Sequence, residues 1–173
     1  MAIITISRGS LSGGRAVAEC LANELGYHCV AREIVRGAAR RIGVSEDAVK
    51  EKFETAPGLW SQLFRERKLY VAAVQTALAD RCVEGNLVYH GLAGQFLLRG
   101  LPGVLRVRLV APLEFRIRAL LSERDHLSRE AAEKFIDNID QERSRRVRRM
   151  YDMDVEDPAL YDLTVNLRIM SEG

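Results

Sequence analysis

Apolar and polar positions alternate so as to divide the chain into short extended runs separated by longer helical stretches. Ile3 to Ser7 is β-rich and ends at a turn rich in glycine and serine, Arg8 to Gly14. Behind the turn, Val17, Cys20, Leu21 and Leu25 recur at helical spacing, and Gly26 stands where that helix should stop. Tyr27 to Val30 predicts a second strand. A helix from about Arg32 to Ile42 follows, then another opened by Ser45 as its N-cap. Pro57-Gly58 interrupts the pattern before a long helix from about Leu59 to Val83, with Leu63, Leu69, Ala73, Val74 and Leu78 as its apolar face. Asn86 to His90 and Val104 to Val110 read as the third and fourth strands, and Leu113 to Glu123 as a helix. Ser128, with Glu130 and Ala131 in the first turn, caps a further helix that continues to Met150; Leu163 to Leu167 is the last strand.

Strands alternating with helices predict an α/β fold with a mainly parallel sheet and helices on both faces. No repeat, low-complexity segment or linker divides the pattern, which reads as one domain over residues 1–173. It ends soon after the fifth strand, which leaves room for a C-terminal helix or a further domain.

Composition narrows the function classes. Of 173 residues, 47% are hydrophobic and 29% charged, the balance of a globular protein and not of a disordered one. The net charge of +2 excludes a polycation built to coat nucleic acid, so strong electrostatics must come from local clustering. Cys20, Cys29 and Cys82 have no metal-binding spacing and form neither a disulfide framework nor a zinc motif; buried or half-buried thiols in a reducing cytosol are expected. No apolar run reaches the ~18 residues that suggest a membrane span. Met1-Ala2-Ile3-Ile4 leads straight into a strand without a leader pattern. A cytoplasmic protein without a membrane partner is the expectation.

The loop from Arg8 to Arg15, between the first strand and the first helix, is the most informative segment. Such a turn points backbone N–H groups at a common centre, and the helix N-terminus adds favourable potential for an anion. Gly13 and Gly14 would allow close approach of a phosphate, Ser10 and Ser12 lie within the loop, and Arg15 could supply a cation. The ordinary Walker A string GxxxxGK[ST] is absent: with Gly13 as its final glycine, Gly14 stands at the lysine and Ala16 lies near the usual hydroxyl. The loop alone reads equally as a tight β–α turn with no ligand.

Ile4-Thr5-Ile6-Ser7-Arg8 followed by Ser12-Gly13-Gly14-Arg15 resembles the opening of the cytidylate kinase-like family. Val110-Ala111-Pro112-Leu113-Glu114 with Arg116 resembles the passage after that family's fourth strand. Ser128, Ala131, Ala132, Ile136, Asp140 and Arg143 resemble its lid helix, and Tyr161-Asp162-Leu163 with Val165-Asn166 its last strand. The resemblance implies a P-loop kinase fold: a five-stranded parallel sheet flanked by helices, with helical NMP-binding and lid regions. It also implies nucleotide substrates, ATP as donor and Mg²⁺ bridging the donor phosphates, with CMP or dCMP as the first acceptor and no metal-ligating side chains assigned.

Within that frame the arginine run of Glu142 to Met150 gains meaning. Arg143, Arg146 and roughly Arg149 share a helix side. Cations placed around a moving phosphoryl group stabilise its charge, and the planar arginine fork suits phosphate oxygens. Asp140 could hold one guanidinium from the preceding turn. A solvated basic face accounts for the run without any function. Nucleic-acid contact is a weaker reading, because no aromatic stacking motif or reading helix accompanies it. Arg116 and Arg118 are candidates for nucleotide contact, and Arg36 stands roughly where related kinases hold the acceptor phosphate.

The chain departs from the pattern at three positions. Leu11 replaces a glycine of the loop, Ala31 replaces an aspartate after the second strand, and Leu92 replaces the arginine of a Gly-Arg motif directed at the acceptor. Arg8, Arg32 or His90 could compensate in space. A catalytically degenerate nucleotide-binding or regulatory domain is therefore the alternative to an active kinase.

Overall fold

A computed structural model describes residues 2–41, 60–124 and 126–169. The helix expected from Ser45 and the Pro57-Gly58 break lie outside the described residues. In chain order the elements are β1 (Ile3–Arg8), α1 (Gly14–Leu25), β2 (His28–Val30), α2 (Arg32–Arg41), α3 (Trp60–Glu84), β3 (Leu87–Tyr89), α4 (Gly94–Leu97), β4 (Val104–Val110), α5 (Leu113–Glu123), α6 (Arg129–Tyr151) and β5 (Leu163–Asn166). Short 3-10 turns at Pro158–Leu160 and Leu167–Ile169 flank β5. The five strands form one parallel sheet in the order β2-β3-β1-β4-β5.

This order puts β1 at the centre, with Ile3 beside both Leu87 and Val104, and Ser7 beside Arg108. A strand buried on both faces must be apolar on both, and Ile3, Ile4 and Ile6 are all buried. Ile3, Leu87 and Tyr89 pack under Ile34 and Ala38 of α2 and Ala73, Val74, Ala77 and Leu78 of α3. On the other face Ile4, Ile6, Val88, Val107 and Leu109 pack against Ala18 and Ala22 of α1.

Two helix faces differ from expectation. Helix α1 turns its small residues Ala18 and Ala22 to the sheet, and Val17 and Leu21 flank them, while Cys20 and Leu25 are exposed. An Ala pair at i, i+4 lets the helix axis approach the sheet closely, and this decides the phase over the larger apolar residues. In α3 the buried stripe is Ala73, Val74, Ala77 and Leu78, and Leu69 is 58% exposed. The α4 turn was not expected from the sequence. Its four residues are all buried, so they carry no amphipathic signal.

The α5–α6 hairpin has a small core of its own, Ile117, Leu120, Ala132 and Ile136, against which Leu11 packs. Ser128 caps α6 by accepting the Ala131 N–H at 3.2 Å, as the sequence indicates. Among the described residues no helix is long and apolar enough to cross a membrane.

Candidate active site

At the C-terminal ends of β1, β3 and β4 the strands open into a cleft of about 240 Å³. This is where open parallel sheets bind ligands. Its floor is Ser7, Arg8 and Gly9 from β1 and the loop, Gly91 to Ala93 after β3, and Arg108 to Ala111 from β4 and the residue after it. Arg116 of α5 and Asp140, Arg143, Ser144 and Val147 of α6 form a wall, closed by Val155 and Glu156.

The loop owes its shape to three residues. Gly13, at φ +73°, precedes α1 in the left-handed region that glycine adopts without strain. Ser12 is buried; its hydroxyl donates to the Gly9 carbonyl at 2.9 Å and accepts from the Gly14 N–H at 3.4 Å. Leu11 also has a positive φ, +54°. The substituted position keeps a glycine-like backbone, which costs a non-glycine residue roughly 1–2 kcal/mol. Its side chain instead reaches the α5–α6 core.

Ser10 is tied into a compact network. Arg116 donates from Nε to the Ser10 carbonyl at 2.8 Å and from Nη2 to Ser10 Oγ at 2.7 Å and Asp140 Oδ2 at 2.5 Å. Ser10 Oγ donates to Asp140 Oδ1 at 2.6 Å. One carboxylate thus joins the loop, α5 and α6.

Arg143 faces the same space without joining that network. It is half-buried and makes no hydrogen bond among the described residues. Burial, followed by the positive charges of Arg8, Arg146 and Arg116, holds its pKa below the ordinary value, and only Asp140 opposes the trend. A half-buried guanidinium among other guanidinia, with a single carboxylate near, marks a site short of negative charge.

The other arginine candidates do not line the cleft. Arg15 is on the exposed side of α1, paired with Glu19 at 2.7 Å. Arg36 is exposed on α2 and stands near Glu33. Arg146 is half-buried beside Tyr70, and Arg149 and Arg118 are exposed. Glu33 accepts the Ala31 N–H at 2.8 Å, so a carboxylate is present two residues beyond the position where the pattern places aspartate. Leu92 lines the cleft and packs with Ala93, Phe96, Val147 and Val155.

Arg108 also lies in the cleft and is absent from the sequence-based candidates, although a charged residue inside a central strand is itself a signal. Its Nη1 donates to the Val155 carbonyl at 2.7 Å and its guanidinium lies 5.6 Å from the centre of the Tyr161 ring. Tyr161 in turn donates to Val155 O at 2.7 Å and accepts from Gln95 Nε2 at 3.1 Å. Among the described residues no group of three or more His, Cys, Asp or Glu side chains is placed to hold a metal ion.

A 2-3-1-4-5 parallel sheet with a glycine loop after the central strand, and a basic cleft over the strand ends, is the architecture of a P-loop kinase. The profile of the cytidylate kinase-like family matches residues 3–169, and the chain belongs to that family. The cytidylate kinase of Ignicoccus hospitalis is 30% identical over 171 residues, covering 98% of this chain and 92% of the relative. Among solved structures, an uncharacterized protein from Eubacterium ventriosum superposes with a TM-score of 0.70 at 15% identity, covering 95% of this chain and 88% of the other. Shikimate kinase from Bacteroides thetaiotaomicron gives 0.51 at 11% identity, covering 95% and 85%. These two likenesses concern the fold. Membership in a kinase family supports a phosphotransferase acting on nucleotides.

Proposed function

We propose that the protein transfers the terminal phosphoryl group of ATP to a nucleoside monophosphate, with CMP or dCMP as the first acceptor. The observation that carries this reading is the convergence of Arg8, Arg116 and Arg143 on one cleft at the strand ends, with Asp140 between Arg116 and Arg143. Phosphoryl transfer spreads charge over the moving group, and its catalysis is mainly positioning and charge stabilisation, so no general base is needed.

In this reading the backbone of Ser10, Ser12, Gly13 and Gly14 surrounds the donor phosphates. Arg15 joins them by leaving Glu19, which costs little because the pair is exposed. Arg116 and Arg143 bracket the transferred group, with Arg146 and Arg149 behind, and Arg36 approaches the acceptor. Mg²⁺ arrives with the ATP phosphates as part of the donor substrate and offsets their charge. The family membership and the named relative support nucleotides as the substrate class.

The second reading, a degenerate regulatory domain, is favoured by Leu92, which presents an apolar side chain where the family pattern directs an arginine. A coupled assay of ATP consumption across a panel of nucleoside monophosphates separates the two. Turnover with a pyrimidine monophosphate is expected. Nucleotide binding without turnover of any monophosphate would transfer the assignment to the regulatory reading.

A further inference from the structure

Strand β4 runs between β1 and β5, and its position in the sheet calls for apolar residues, yet it carries two arginines. Arg106 is accounted for. It donates to both carboxylate oxygens of Asp162, from Nη2 at 2.6 Å and from Nε at 3.0 Å, and this holds the Asp162 pKa down to about 2. Arg108 has only a longer, single contact of this kind, from Nη2 to Glu156. Its nearest carboxylate oxygen, on Glu156, is 3.5 Å away on a side chain that is 74% exposed, whereas the arginine side chain is only 20% exposed. A charge drawn largely out of water and matched only by a long contact to an exposed carboxylate is weakly compensated, and the fold keeps it at the floor of the cleft.

The position of Arg108 is specific. It stands in register beside Ser7, next to the first residues of the phosphate loop, and it shares the cleft with Leu92. The Val155 carbonyl and the Tyr161 ring fix its guanidinium from behind, and Tyr161 is itself held by Gln95 and Val155. An arginine held in this way loses little freedom when it binds an anion, and its remaining N–H groups suit phosphate oxygens. Leu92 and Arg108 therefore form an exchanged pair around one space: an apolar side chain where the family pattern has the arginine, and an arginine where a central strand calls for an apolar one.

We propose that Arg108 binds the phosphate of the acceptor nucleotide, supplying from β4 the cation that the family pattern supplies from position 92. The proposal rests on the kinase reading above and identifies a specificity-determining residue for that reaction. It gives a chain with leucine at 92 a means of recognising the acceptor phosphate, from a strand residue instead of a loop residue.

The test compares Arg108→Leu, Arg108→Lys and the double variant Arg108→Leu/Leu92→Arg with the native chain. It uses initial rates at varied acceptor and varied ATP, together with calorimetric binding of CMP and of cytidine. Arg108→Leu should raise the acceptor KM about ten- to a hundredfold, the worth of a charge-assisted contact, while the ATP KM moves by less than about threefold. The preference for CMP over cytidine should fall by the same factor. Arg108→Lys should recover part of the loss. The double variant, which returns the charge to position 92, should recover about tenfold or more. An unchanged acceptor KM in a folded Arg108→Leu protein overturns the proposal. So does a parallel loss of CMP, cytidine and ATP affinity, which is the mark of a purely structural arginine. If the native chain turns over no monophosphate, the kinase reading fails separately, and inorganic phosphate becomes the probe. Thermal stabilisation by phosphate that disappears in Arg108→Leu upholds the anion site, and equal stabilisation of both proteins overturns it.

Discussion

Gly14 lies where β1 hands over to α1, with the stem of Arg8 directly against it. A methyl group there would come within 3.0 Å of Arg8 Cβ and Cδ and 3.2 Å of Leu109 Cδ1. Gly14→Ala should destabilise the fold by about 1–3 kcal/mol through overpacking, read as a lowered urea midpoint, and should weaken nucleotide binding by displacing Arg8. An unaltered midpoint would mean that the turn has slack. A second residue-scale expectation concerns pH. His90 Nδ1 is buried without a hydrogen bond among the described residues, and burial, then Arg8, holds its pKa below the ordinary 6.5. Arg15 also lowers it, and Glu19 and Glu33 act the other way. The folded state binds this proton less readily than the unfolded chain. The contribution of His90 is therefore full above about pH 6.5 and is lost as the pH falls toward the lowered value. His90→Gln should flatten the decline of stability between about pH 7 and 5, measured by denaturation at each pH; a profile identical to the native one would remove His90 from the account.

The arginines of α6 show how far spacing alone reaches at the scale of an element. Residues three apart lie near one another, but each step of three falls about 60° short of a full turn. Arg143 therefore faces the cleft, Arg146 is half-buried beside it, and Arg149 has rotated into solvent. Arg143→Ala should lower kcat by about a hundredfold or more with a smaller change in KM, because the contact strengthens in the transition state; Arg146→Ala should do less and Arg149→Ala almost nothing. Equal effects at all three positions would point to a general basic face instead. The strands and long helices were legible because their apolar residues repeat with the period of the element. The phase of α1 was not, since the alanines that face the sheet are weaker apolar signals than the cysteine and leucine that do not. Asp140 was legible as a guanidinium holder, but its partner was not. Arg116 is 24 residues away along the chain, and only the α5–α6 hairpin brings the two together. Arg108 was passed over because the strand pattern absorbed it.

At the scale of the whole molecule, the hydroxyl of Ser10, the guanidinium of Arg116 and the carboxylate of Asp140 join three separate segments, and Leu11 adds an apolar tie to the same hairpin. The wall formed by α5 and α6 is thus fastened to the phosphate loop at the point where the donor is proposed to bind. Asp140→Asn removes the charge of this joint while nearly preserving its shape, so the consequences for stability, affinity and turnover can be separated. Stability should fall by about 1–2 kcal/mol, the value of charge-assisted hydrogen bonds reduced because the carboxylate is partly exposed. Affinity for ATP should hold or rise, since Arg116 and Arg143 lose a competing negative charge beside the phosphates. Turnover should fall by about tenfold or more, because the arginines are then less firmly placed around the transferred group. Titration calorimetry and steady-state rates on the same preparation check both expectations. A loss of ATP affinity as large as the loss of kcat would show that the joint builds the binding site itself and does not act only on the geometry of transfer.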